Sequence, residues 1–317
     1  MPSKTDHNPL APRYWGTKIG LMVLSVICRL LPYRLIVRIG ARLGRLTMRL
    51  SSKRRHIAKV NIGLCFPDYS DEQRQLLLER HFESVGIGLL TTGMAWWVKD
   101  ESLREMVQLE GLERLTEAAK EGKGVILLSA HFTDLEISGR LLTLFFPFSV
   151  MYRQHENPAV EEVFRLNREA HFTSAIKKND VKQMIKVLKQ GGTVWYAPDQ
   201  SYSSHNSALV PFFNVPASTN LATSRLAKVT GAKVLPFFGY RQPDGRGFRL
   251  VIQPPLEDFP TNDPVDDAKR INSLIETAVT QAPEQYFWLH RRFKKRKGHT
   301  DPYTGSKRLS QKPDTRG

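Results

Sequence analysis

Between Gly124 and Gln253 the chain alternates short apolar runs with segments of helical period. Nothing else in the sequence restricts the fold as much. Gly124–Ser129, Ser149–Tyr152, Thr193–Ala197, Lys233–Phe238 and Phe248–Gln253 read as strands. Gly111–Lys120, Val160–Ala170, Val181–Lys189, Ser218–Val229 and Asp266–Thr280 read as helices, with Gly191-Gly192 and Gly231 as stops. Strands alternating with helices predict an α/β sheet. In such sheets ligands gather where strands end, and His131, Arg153 and Asp199 all stand at predicted strand ends.

The run Leu127-Leu128-Ser129-Ala130-His131-Phe132-Thr133-Asp134-Leu135-Glu136 empties an apolar strand onto a histidine, with a carboxylate five residues later. Such a pair suits proton transfer, in which the imidazole takes a proton from an attacking hydroxyl while the carboxylate sets the tautomer and stabilises the imidazolium. Residues five apart on a straight helix differ by roughly 140° and share no face, so His131 is expected on the turn or at the very start of the helix carrying Glu136. The competing reading is an ordinary strand–turn–helix junction. Ser, Cys and Lys are absent from any nearby nucleophile motif, which favours direct attack on an activated donor.

Charge separates the chain into three parts. Residues 1–60 hold 13 Lys/Arg against one acid, and residues 290–317 hold 10 against two, whereas the remaining 229 residues carry 24 basic and 28 acidic side chains. A nucleic-acid enzyme more often spreads its charge along a binding face of the body. Basic ends on a near-neutral body favour an anionic membrane surface instead, with a nucleic-acid patch in Arg291–Lys297 as the alternative. Two cysteines, Cys28 and Cys65, make no disulfide framework, and the nine histidines lack zinc-ligand spacing. Phosphate-loop, dinucleotide and serine-hydrolase motifs are missing, so neither metal nor cofactor is expected.

Residues 1–56 read as a membrane anchor and basic amphipathic helix. The apolar run Ile19–Cys28 is about half the ~20 residues a clean span needs. Beyond Pro32, Arg34, Arg38, Arg42, Arg45 and Arg49 fall within an arc of roughly 80°. Leu35, Ile36, Ile39, Leu43, Leu46 and Leu50 fill the adjacent arc, as in an interfacial helix. Ser70 and Gln73 have capping-box spacing, and the Gly-punctuated stretch Glu83–Trp97 reads as a buried helix. Residues 57–297 form the expected catalytic domain, and 298–317 a disordered polar tail.

Several blocks together resemble the bacterial late acyltransferases of lipid A biosynthesis, the lauroyl/myristoyl transferases, over about Pro9 to Lys297. They are Leu43-Gly44-Arg45-Leu46, Lys59 to Pro67, Glu83-Ser84-Val85-Gly86, Gly93 to Trp97, His131-Phe132-Thr133 with Glu136, Tyr152-Arg153 with Asn157-Pro158, Tyr196-Ala197-Pro198-Asp199, and Trp288 to Phe293. The likeness is strongest to the lauroyl-type members. It implies an α/β fold with a central mixed sheet flanked by helices, like that of the glycerolipid acyltransferases, and an N-terminal membrane-associated helical segment. It implies an enzyme at the cytoplasmic face of the inner membrane that moves an acyl chain from acyl carrier protein to a hydroxyl on a 3-hydroxyacyl chain of Kdo-bearing lipid IVA. In that scheme His131 is the general base, Glu136 its orienting carboxylate, and Arg153 and Asp199 are substrate-binding residues. Partners are then acyl carrier protein, the lipid A precursor and the anionic membrane surface, with no nucleic acid. Gln200, where some relatives carry His, departs from the pattern. Acylation of glycerol phosphate or another glycolipid, or non-catalytic binding of anionic lipid or nucleic acid, are the rival readings.

Overall fold

A computed structural model describes residues 11–202, 206–294, 296 and 298–304. Its centre is a seven-stranded sheet in the order β1-β9-β8-β2-β5-β3-β4. These strands are β1 (Val107–Glu110), β2 (Val125–Leu128), β3 (Ser149–Tyr152), β4 (Ala175–Lys177), β5 (Thr193–Tyr196), β8 (Lys233–Arg241) and β9 (Phe248–Ile252). All neighbouring pairs are parallel except β8 with β9, so the sheet is mixed as expected. A separate antiparallel hairpin joins β6 (Ser207–Phe212) to β7 (Val215–Asn220).

The four residues of β2 are fully buried on both sides. Ile126 and Leu128 enter one apolar cluster with Val194 and Val234, whereas Val125 and Leu127 enter the other with Trp195 and Leu235. The two-residue period of a strand thus divides the core into two layers. Packed around them are α1 (Trp15–Leu30), α2 (Tyr33–Leu50), α3 (Ser52–Cys65), α4 (Asp71–Trp97), α5 (Asp100–Arg104), α6 (Leu112–Lys120), α7 (Leu135–Thr143), α8 (Pro158–His171), α9 (Val181–Lys189), α10 (Ala222–Thr230) and α11 (Pro264–Gln281).

Helix α4 joins the two layers. Its first half gives Leu77, Leu78 and Phe82 to one cluster and its last turns give Leu90, Met94 and Trp96 to the other. It starts at the anticipated capping box: the Ser70 hydroxyl accepts the Gln73 N–H at 3.2 Å, and the Gln73 side chain accepts the Ser70 N–H at 2.7 Å. What reads as two helices in the sequence is one, because Gly86, Gly88 and Gly93 lie at close crossings and do not break it. A Cβ on Gly86 would stand 2.1 Å from the Gly40 carbonyl oxygen, and one on Gly44 would stand 1.9 Å from that of Phe82. Backbone touches backbone where α2 crosses α4.

That crossing spans the division expected after residue 56. Tyr33 and Ile36 of α2 and Cys28 of α1 are buried in the same cluster as residues of the sheet. Part of the segment expected as a tail packs on the body too. Tyr303 is buried, its hydroxyl donates to Asn61 Oδ1, and the Phe293 N–H donates back to that hydroxyl at 3.1 Å. The rest of the predicted tail, 305–317, and the basic residues Lys295 and Lys297 lie outside the described residues. Ser218–Asn220, read as helix, belong to β7; the helix waits for Asn220, whose side chain accepts the Ala222 N–H at 3.0 Å.

On α1, Trp15, Ile19, Met22, Val23, Val26 and Leu30 are all exposed, within an arc of roughly 100°. On α2 the five stripe arginines are exposed too, and so are Leu43, Leu46 and Leu50. Ile36 departs from the predicted outward arc and is fully buried. Among the described residues no helix is long and apolar enough to cross a membrane.

Candidate active site

Register alone brings two of the predicted residues together. In the parallel pair β2–β5, Leu128 stands opposite Tyr196, and the Ser129 N–H continues the ladder to the Tyr196 carbonyl at 2.9 Å. His131 is three residues beyond Leu128 and Asp199 three beyond Tyr196, so both arrive at the carboxyl rim side by side. His131 Nδ1 lies 2.5 Å from Asp199 Oδ1, and the His131 backbone N–H donates to Asp199 Oδ2 at 3.0 Å. The Tyr286 hydroxyl donates to the same Oδ2 at 3.0 Å.

Asp199 is buried, which on its own would raise its pKa, yet the charge and hydrogen bonds of His131, with the Tyr286 hydroxyl, hold it at about 2. An ionised carboxylate only accepts, so the imidazole proton is on Nδ1 and the lone pair is on Nε2. Burial opposes protonation of His131, but the Asp199 charge and hydrogen bond outweigh it and raise its pKa above the usual 6.5. The ring keeps 30% of its surface exposed. The pair therefore presents a basic nitrogen, made more basic by a buried anion, to whatever enters the cleft.

Glu136 is placed differently from the sequence expectation. His131 sits on the turn, four residues before α7 begins, and Glu136 in the first turn of α7 faces α8. There Arg168 donates from Nε at 3.1 Å to Oε1 and from Nη2 at 2.7 Å to Oε2 of Glu136, a bidentate fork. The Trp96 indole N–H adds a 3.4 Å contact to Glu136 Oε1, and the Arg168 guanidinium lies over the rings of Phe164 and Tyr152. The carboxylate that orients His131 in this geometry is Asp199. Arg153 stands at the end of β3 on the same rim, but its side chain is 67% exposed and meets Glu156 at 3.2 Å.

Beneath the His131 turn lies a buried ion pair that sequence patterns did not single out. Asp134 accepts from Arg241 Nη1 and, at 2.7 Å, from the Thr91 hydroxyl. Arg241 Nη2 donates to Ser84 Oγ at 2.8 Å, which meets Thr133 Oγ1 at 2.7 Å. The His131 carbonyl accepts the Phe287 N–H at 2.9 Å, and the Thr133 N–H donates to the Gln285 carbonyl at 2.7 Å. The turn is thus pinned to α4, β8 and the 285–287 segment. Asp134 was legible in principle as an acid inside an apolar run; Arg168 and Tyr286 carried no such signal.

The bacterial lipid A biosynthesis acyltransferase family matches residues 3–295. The chain belongs to that family. It is therefore an acyltransferase of lipid A biosynthesis, and the two strand-end residues of its active-site candidate fall within the matched region. The lipid A biosynthesis lauroyltransferase of Escherichia coli strain K12 is 39% identical over 288 residues, covering 90% of this chain and 94% of that protein. The palmitoleoyltransferase of the same strain is also 39% identical, over 289 residues with the same coverage. These two relatives, at equal identity, are named for different acyl chains. Among solved structures, the 1-acyl-sn-glycerophosphate acyltransferase PlsC of Thermotoga maritima overlays with a TM-score of 0.36 at 17% identity, covering 84% of this chain and 98% of that one.

Proposed function

We propose that this acyltransferase moves a fatty acyl group from the thioester of acyl carrier protein to a hydroxyl of a 3-hydroxyacyl chain on Kdo-bearing lipid IVA, with His131 as general base. The observation that carries the reading is the half-open imidazole of His131, held through Nδ1 by the buried Asp199 carboxylate. Nε2 takes the hydroxyl proton as the oxygen attacks the thioester carbonyl. A tetrahedral intermediate forms, collapses to the ester, and expels a thiolate that recovers the proton from the imidazolium. Asp199 stabilises the imidazolium between the two transfers. Arg153, exposed on the same rim, suits a phosphate of the acceptor, and Glu136 with Arg168 braces α7 against α8 beside the cleft.

The acceptor is an amphiphile, which suits attachment at the cytoplasmic face of the inner membrane. The exposed apolar stripe of α1 and the exposed arginines of α2 support an interfacial docking mode, apolar side chains entering the acyl region and guanidinium groups meeting phosphates. The basic surface also suits an acidic carrier protein. The test is a reconstituted reaction with acyl–acyl carrier protein and Kdo-lipid IVA in mixed micelles, read by mass spectrometry of the lipid. A mass increase of one acyl group supports the reading. Acylation of glycerol phosphate in preference to the glycolipid overturns the choice of acceptor.

A further inference from the structure

Two backbone segments hold His131: the turn after β5, through Asp199, and residues 286–287, through the Phe287 N–H. His290 is fixed to both of them. Its Nε2 accepts the Ser201 backbone N–H at 3.1 Å, two residues beyond Asp199, and its own N–H reaches the Phe287 carbonyl at 3.4 Å. The electrostatic influence of Asp199 and of His131 both reach the His290 ring. The same two segments that hold His131 hold the His290 imidazole.

A donor entering Nε2 leaves a single tautomer for a neutral ring, with the proton on Nδ1. Among the described residues no acceptor meets that Nδ1–H. Burial lowers the His290 pKa to about 4, so the ring is neutral at physiological pH. Its mounting is firm: Asn61 Nδ2 donates to the carbonyls of Trp288 at 2.6 Å and His290 at 2.7 Å, and Arg54 Nη1 donates to that of Leu289 at 3.3 Å. The result is a fixed, uncharged N–H donor on the segments that hold the base, with nothing among the described residues to donate to.

We propose that His290 is a second catalytic residue, whose Nδ1–H donates a hydrogen bond to the thioester carbonyl oxygen as negative charge gathers there. This deepens the proposed function and rests on His131 being the base. As the hydroxyl oxygen bonds to the carbonyl carbon, the π pair moves onto oxygen and the proton moves to His131. When the C–S bond breaks, the carbonyl re-forms and the thiolate takes that proton. His290 neither gives nor takes a proton in either step. A neutral ring suits this role because it donates without competing with His131 for the hydroxyl proton, and a donor fixed in advance needs no reorganisation as charge develops.

The test compares wild type with His290→Ala, His290→Gln and His290→Leu in acyl transfer from acyl–acyl carrier protein to Kdo-lipid IVA, resolved into kcat and KM across pH. His290→Ala is expected to lower kcat on the order of 100-fold, with KM for both substrates little changed and the acid limb of the rate profile unmoved. His290→Gln should recover part of the loss, since Oε1 accepts from Ser201 while Nε2 donates to substrate. Wild-type kcat in the Ala variant overturns the proposal. So does a loss confined to KM, or one accompanied by a shifted acid limb, which would make His290 a support for the His131–Asp199 pair. Should the Ala variant not fold, Gln and Leu carry the test, and equal kcat in those two overturns it. Activity retained by His131→Ala, assayed alongside, would instead refute the proposed function; an inactive His131→Ala beside a fully active His290→Ala removes only this inference.

Discussion

Asp199 holds His131 twice, accepting its Nδ1–H with one oxygen and its backbone N–H with the other. The first bond selects the tautomer, and the second fixes the ring's point of attachment. Because Tyr286 fills a further acceptor position on the second oxygen, the carboxylate has little freedom to turn.

Asp199→Asn is expected to lower acyl transfer by on the order of 10³–10⁴-fold. The amide donates where the carboxylate accepted, which forces the proton to Nε2 and removes the lone pair from the side facing the cleft. Steady-state kinetics of the purified variant, with circular dichroism to establish folding, checks this outcome.

The pH profile follows from the same pair. His131 must be neutral to act as a base, and the Asp199 charge and hydrogen bond hold its pKa above 6.5 against the opposing effect of burial. Activity should therefore rise as pH rises through a limb that lies above 6.5. In Asp199→Asn the stabilising charge is gone while the burial remains, so the limb should move to lower pH. The dependence of log kcat/KM on pH for the two proteins tests this; coincident limbs would contradict it.

Glu136→Gln should act chiefly through Arg168. The pair is largely buried, so removing the negative partner leaves a guanidinium without its counter-charge, at a cost on the order of 3 kcal/mol in stability. Chemical denaturation measures that cost. Activity is expected to fall with the acid limb in place, because Asp199 still sets the His131 pKa. A limb that moves as far as in Asp199→Asn would return Glu136 to the role of orienting carboxylate.

Membrane attachment offers an independent prediction. Arg38, Arg42 and Arg49 are exposed along α2, and each basic residue near an anionic surface contributes about 1 kcal/mol. The variant with all three changed to Glu should co-sediment less with anionic vesicles at low salt, and the difference should shrink at high salt as charges are screened. Substituting Met22 and Val26 by Gln should weaken binding without that salt dependence, since their contribution is apolar. Binding of both variants equal to wild type would make the two stripes solvated surface.

Much of this architecture was legible in the sequence because its signals are local. The five apolar runs of the sheet, the Ser70–Gln73 cap and the glycine stops each depend on a few neighbouring residues. The short strands β1 and β4 lack such a pattern, and the β6–β7 hairpin takes Ser218–Asn220 by pairing across the chain. At the site, His131 and Asp199 were each legible as strand-end residues, but not that they bond each other, because that depends on β5 lying beside β2. Proximity in sequence favoured Glu136 instead. Arg168, Tyr286 and His290 come from distant segments, and only the fold brings them to the rim.

Whether His131, set by Asp199, is the base is decided most directly by the turnover of His131→Ala and of the His131→Ala/Asp199→Asn double variant in acyl transfer to Kdo-lipid IVA. A fall of on the order of 10²–10⁴-fold is expected in His131→Ala, with little further loss in the double variant, because Asp199 acts through the imidazole. Turnover near wild type in His131→Ala, or penalties that multiply in the double variant, would contradict that role for the pair.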